Sequence, residues 1–75
     1  MSEQQKIRIS NRLREIRNAR NLSAKEVADK IGCSVMTIFA YERGDRTPKP
    51  IRMKQLAEIL NSDVSTLFFD EGEQL

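Results

Sequence analysis

Residues 22–48, LSAKEVADKIGCSVMTIFAYERGDRTP, decide how the chain folds. Ser23 has Glu26 three residues on, the S-x-x-E spacing at which side chains and backbone N–H groups satisfy one another at a helix start. Leu22 and Val27 flank that start as a hydrophobic staple. A helix is therefore expected from about Ala24, with Val27, Ala28 and Ile31 on its inner face. Gly32 stops it, in the left-handed conformation that costs glycine least. Ser34 then caps a helix of about ten residues ending near Arg43 and Gly44, with Ile38, Tyr41 and the flank of Cys33 turned inward. Residues 44–49, GDRTPK, combine Gly, Pro and polar groups and read as a loop.

Outward from this stretch the same periodicity continues. Upstream, Leu13, Ile16 and Ala19 recur at helical spacing, with Arg12, Arg14 and Arg20 pointing elsewhere and Ser10 placed as a cap. Asn21 tolerates the left-handed conformation that ends this helix. Downstream, Pro50 suits the first turn of a fourth helix, where its missing N–H costs nothing. Met53, Leu56, Ala57 and Leu60 form that helix's apolar stripe, and Asn61 and Ser62 break it. Asp63 caps a short fifth helix containing Val64, Leu67 and Phe68. No stretch has a convincing period of two. The expectation is an all-α bundle of five short helices. It occupies residues 9–69, between a flexible segment at 1–8 and an acidic tail at 70–75.

Composition narrows the function classes. A chain of 75 residues has room for one small core, not for a catalytic cleft beside a cofactor fold. Cys33 is the single cysteine and there is no histidine, so neither an internal disulfide nor a structural zinc site is expected. With no paired-carboxylate cleft and no phosphate-cradling glycine loop, an enzyme is not expected, nor is a cofactor. Nothing argues for a small-molecule ligand. The start, MSEQQKIRIS, lacks an apolar core of signal-peptide length, and no apolar run approaches a membrane span; a cytoplasmic protein is expected. The net charge of +2 is unevenly spread. Residues 1–20 carry Lys6, Arg8, Arg12, Arg14, Arg17 and Arg20 against Glu3 and Glu15. Residues 62–75 carry Asp63, Asp70, Glu71 and Glu73 with no basic group. Such asymmetry fits a side that faces a polyanion.

Two helices crossing at a wide angle need a small residue at the contact, a glycine in the turn and an apolar anchor on the second helix. Ala28, Gly32 and Ile38 stand at such positions, although a plain pair of helices also uses Ala and Gly. The wider pattern is more specific: LREIR at 13–17, LSAKEVADKIGCS at 22–34, TIFAYERGDRTP at 37–48 and LAEIL at 56–60. It resembles the Xre/Cro-like helix-turn-helix family of phage repressors over roughly residues 9–69. The resemblance implies a lambda-repressor-like DNA-binding domain with its third helix in the major groove. It also implies an ion pair between Arg17 and Glu42, linking the first helix to the end of the third.

Family members read bases with the residues matching Val35, Met36 and Ala40, commonly polar ones. Here those positions are apolar, and two readings stay open. In the first, Val35, Met36 and Ala40 meet thymine methyl groups, with Phe39 on the same base-contacting face, while Ser34, Thr37 and Arg43 supply hydrogen bonds to bases. In the second, the face binds a protein, with Met36 and Phe39 as anchors. Phosphates are expected at the start of the second helix, at Ser23, Lys25 and the main chain of Ala24. Arg46, Thr47 and Lys49 in the following loop are the other phosphate candidates. Cys33 reads as a packing residue. Phe68 and Phe69 are adjacent, so one helical face cannot bury both; Phe69, with Val64, is the candidate dimer contact. The expected function is a sequence-specific transcriptional regulator, a phage or mobile-element repressor binding double-stranded operator DNA as a homodimer. The alternative is an anti-repressor or antitoxin-like module of the same fold with a protein partner.

Overall fold

The computed structural model describes residues 12–69, and these are all-helical. In chain order the helices are α1 (Arg12–Ala19), α2 (Ala24–Ile31), α3 (Val35–Arg43), α4 (Pro50–Ile59) and α5 (Val64–Phe68). The expected cap Ser10, the segment 1–8 and the tail 70–75 lie outside the described residues.

Helix starts follow the expected chemistry. The Ser23 hydroxyl accepts from the Glu26 N–H at 3.0 Å, and the Glu26 carboxylate accepts from the Ser23 N–H at 2.7 Å. This closes the reciprocal capping box of α2. Ser34 caps α3 and Asp63 caps α5, each through the N–H three residues on. Pro50 opens α4.

Four helix ends share one closure. Asn21, Gly32, Gly44 and Asn61 all have positive φ, at 60°, 79°, 83° and 54°. After each of them the next N–H reaches back to a carbonyl of the last turn: Leu22 to Arg17, Cys33 to Ala28, Asp45 to Ala40 and Ser62 to Ala57. Carbonyls that the helix would leave without partners are thereby satisfied, and the chain reverses sharply without a long loop.

One core receives a side chain from every helix. Leu13, Val27, Ile38, Leu56, Leu67 and Phe68 are all fully or almost fully buried, joined by Leu60 just past α4. Each such burial contributes roughly 1.5–3 kcal/mol. Helix α2 packs against α3 and α4, while α1 spans from α3 to α5. Val64, expected at a dimer contact, is half-buried against this core.

The inward face of α1 differs from expectation. Ala19 is exposed, whereas Arg17 is only 8% exposed. At 100° per residue, Leu13, Ile16, Arg17 and Arg20 share one side, and Ala19 falls outside it. Arg20, expected to point elsewhere, lies along that stripe. Its Nε donates to the Leu60 carbonyl at 2.6 Å and its Nη2 to that of Asn61 at 3.1 Å. A cation on the free carbonyls at a helix C-terminus is favourable both as hydrogen-bond donor and against the helix dipole.

A Cβ on Gly32 would meet nothing within 4 Å, so its requirement for glycine is one of backbone conformation. Gly32→Ala is expected to destabilise the domain by about 1–2 kcal/mol from the left-handed penalty alone. Gly32→Asn should cost less, since asparagine tolerates that region. Urea midpoints at constant slope check both variants.

Candidate nucleic-acid interface

The turn at Gly32 sends α3 across α2, held by Ile38 (fully buried) and Ala28 (2% exposed). This presents the opposite face of α3. Met36 is 65% exposed and Phe39 is 38% exposed, so both stand out from the surface. Ser34 and Arg43 are exposed, and Thr37 is half-buried. The Ser34 and Thr37 hydroxyls lie 3.1 Å apart, and Ser34 also accepts from the Thr37 N–H at 3.2 Å. Each hydroxyl has capacity left for one more partner. Val35, expected on the flank of this face, is half-buried against the core.

Ala40 does not lie where it was expected. It is 8% exposed and belongs to the buried set, not to the open face. The reason is the closure at Gly44. The N–H groups of Asp45 and Arg46 both reach the Ala40 carbonyl, at 2.9 and 3.3 Å, so the chain doubles back against this turn. A methyl group is too short to project past it. The open apolar face of α3 therefore consists of Met36 and Phe39.

Two flanking elements carry the remaining candidates. At the start of α2, Ser23 and Lys25 are exposed, while Ala24 is 5% exposed and offers only its backbone. Lys25 Nζ lies 3.1 Å from Asp29 Oδ2, an exposed pair one turn apart. Such pairs are worth a few tenths of a kcal/mol and exchange readily for another anion. In the loop after α3, Arg46, Thr47 and Lys49 are exposed around Pro48, which is buried. Pro48 thus pins the loop while its polar neighbours face solvent. The Arg46 guanidinium sits 6.0 Å from the Tyr41 ring centroid, and Arg52 Nη1 donates to the Tyr41 hydroxyl at 3.4 Å. Tyr41 thereby connects α3 to the loop and to α4.

Beneath α3 lies the pair that sets its position. Arg17 Nε donates to Glu42 Oε2 at 2.6 Å, and Nη2 donates to Oε1 at 3.2 Å. The side chains are 9% and 5% exposed. The remaining arm of Arg17, Nη1, donates to the Leu22 carbonyl at 2.8 Å. The buried charge is thus matched by a two-point carboxylate contact and a third acceptor.

Residues 13–67 match the helix-turn-helix family. The chain belongs to that family. Over 61 residues it is 34% identical to the cryptic phage CTXphi transcriptional repressor RstR of Vibrio cholerae, covering 81% of this chain and 55% of the relative. Over another 61-residue alignment it is 41% identical to an uncharacterized HTH-type transcriptional regulator, RghRB, of Bacillus subtilis (strain 168), covering 80% and 44%. The chain spans about half the length of these relatives. A solved complex of the SinR protein with the SinI protein contains a chain of the same fold. Its TM-score is 0.72 at 26% identity, covering 89% of this chain and 66% of that one.

This helix-turn-helix chain also carries basic side chains that periodicity alone did not single out. Arg14 is exposed beside α3 and Arg52 reaches Tyr41, while Arg43, expected to contact bases, pairs with Asp45 at 2.8 Å. Among the described residues no helix is long and apolar enough to cross a membrane.

Glu42→Ala leaves the Arg17 charge buried and uncompensated, and is expected to cost about 3–5 kcal/mol. The double variant Arg17→Met, Glu42→Leu removes both charges and should recover most of that loss. Chemical denaturation of the single and double variants measures the coupling.

Proposed function

We propose that this helix-turn-helix domain is a sequence-specific transcriptional regulator that represses by occupying operator DNA. The observation that carries the reading is the arrangement around α3. Its outward face is free of the core, the start of α2 lies on one side and a basic loop follows its end. An α-helix with side chains is about 10–12 Å across, which matches the width of the major groove of B-DNA. With α3 inserted there, Met36 and Phe39 meet thymine methyl groups, and Ser34 and Thr37 offer hydrogen bonds to base edges. Ser23, the backbone of Ala24, Lys25, Arg46, Thr47 and Lys49 then hold phosphates, fixing the register without reading sequence. The transcriptional repressor and regulator among its relatives support this role. On this reading the DNA-binding unit spans residues 9–69 and works in the cytoplasm, in the manner of a phage or mobile-element repressor.

Occupancy of a two-fold operator needs a dimer whose α3 helices stand about one DNA turn apart. Phe69 is the candidate contact. It is 42% exposed at the end of α5, next to the fully packed Phe68. Pairing two such faces removes apolar surface from water on both copies.

A second reading has its own support. Met36 and Phe39 form an exposed apolar face suited to a protein partner, and a structure of this fold is a complex of two proteins, SinR with SinI. Salt separates the two readings. A DNA complex holding several phosphates loses affinity with a log–log slope of about −0.9 per phosphate contact. Absence of duplex binding at low salt, together with capture of a protein partner, would sink the DNA reading.

Selection of bound sites from random duplexes should return a two-fold sequence with half-sites roughly 10 base pairs apart. Met36→Ala should shift base preference within it by on the order of tenfold, with melting unchanged. Phe69→Asp should lower the sedimenting mass to that of a monomer and weaken operator binding in parallel; an unchanged mass would remove Phe69 from the interface.

A further inference from the structure

Between α1 and α3 lies a half-open groove of about 350 Å³, lined by Arg14, Arg17, Phe39, Glu42 and Arg43. It adjoins the outward face of α3 at Phe39 and Arg43. Its charges are not equivalent. Arg17 is buried and spent on Glu42 and the Leu22 carbonyl, so it forms the floor. Arg43 is paired with Asp45, but both side chains are more than half exposed, at 58% and 59%. That pair is readily exchanged for a stronger anion. Arg14 is exposed on the opposite wall. Phe39 supplies an apolar side that limits water around any anion seated there.

We infer that this groove holds one backbone phosphate of bound DNA, gripped by Arg14 from α1 and Arg43 from α3. The inference rests on the DNA-binding reading above and adds to it a contact shared by α1 and α3. A helix that fills the major groove has a sugar–phosphate wall along each flank. The groove opens beside Phe39 and Arg43, at the edge of the α3 face that would enter, where one such wall passes. A guanidinium on each side offers fork-shaped donors that suit phosphate oxygens. Arg43 is thereby moved from base reading to phosphate positioning, because its Nε is already drawn sideways onto Asp45.

The test uses the whole chain and an operator obtained by selection from random duplexes. Wild type and Arg14→Gln are compared by fluorescence anisotropy over a range of salt, on that operator and on random duplex. Circular dichroism melts confirm that the variant is folded, as expected for an exposed side chain. Arg14→Gln should weaken both complexes by the same factor, on the order of tenfold. It should also lower the magnitude of the salt slope by about 0.9. In a set of operators each carrying one neutral methylphosphonate, a single position should weaken wild type and leave Arg14→Gln unaffected. Unchanged affinity and slope, or loss on the operator alone, would overturn the phosphate assignment while wild-type binding upholds the DNA reading. Failure of wild type to bind any duplex would overturn both.

Discussion

A buried guanidinium holds this domain in shape. The side chain of Arg17 joins three parts of the fold: the end of α1, the start of α2 and the last turn of α3. Its main chain takes part as well, since the Arg17 carbonyl accepts from the Leu22 N–H. Leu22 is therefore fixed from both its donor and its acceptor. Taking such a charge out of water costs several kcal/mol, which only well-aligned partners offset. An apolar pair of the same volume would pack with less penalty but would tolerate rotation and sliding. The two-point contact with Glu42 does not, because it fixes direction as well as distance.

That constraint acts on α3 from below, and the helix ends act on it from either side. Gly32 and Gly44 bracket α3 with the same left-handed closure, so the helix has little freedom to lengthen or slip. Tyr41 connects α3 to the loop that follows, through Arg46 on its ring and Arg52 on its hydroxyl. A side chain on the outward face is thus placed by several fixed points on three other elements. A small core of short helices could not achieve this from apolar packing alone, since apolar contacts are non-directional. Directional contacts at the margins of the core provide the positional accuracy that a recognition surface needs.

The fold was readable because its signals are local. The capping box at Ser23 and Glu26, the glycines at 32 and 44, and Pro50 each act within a few residues and mark α2, α3 and the start of α4, while Asn21 and Asp63 mark the end of α1 and the start of α5. The inward stripe of α1 departs from the apolar period for a physical reason. A period count weighs side chains by apolarity, and so it preferred Ala19 to Arg17 and Arg20. Arg17 is buried against Glu42, and the exposed Arg20 reaches across to the Leu60 carbonyl; both acceptors lie far away in sequence. Ala40 was misplaced for a related reason. An ideal helix puts it opposite Ile38, but the returning backbone of Asp45 and Arg46 closes over that turn. Tertiary partners of this kind leave no periodic trace.

The candidate surface is consequently narrower than the sequence implied, and its chemistry is more divided. With Ala40 covered, Val35 half-buried and Arg43 drawn toward Asp45, the outward face of α3 reduces to Met36, Phe39 and two hydroxyls at its start. Neither Met nor Phe forms hydrogen bonds to bases, so such a face discriminates by shape and by methyl contact. Those contacts tell thymine from other bases more weakly than a bidentate arginine or glutamine would. On the proposed reading, affinity then comes from phosphates on both flanks, and discrimination comes from the few apolar contacts plus the bending and groove width of the site. A dimer compensates for weak half-site reading by requiring two sites at fixed spacing. The shallow chemistry of the α3 face and the exposed Phe69 therefore fit together: a reader with so little base-specific hydrogen bonding needs the geometry of two copies to be selective.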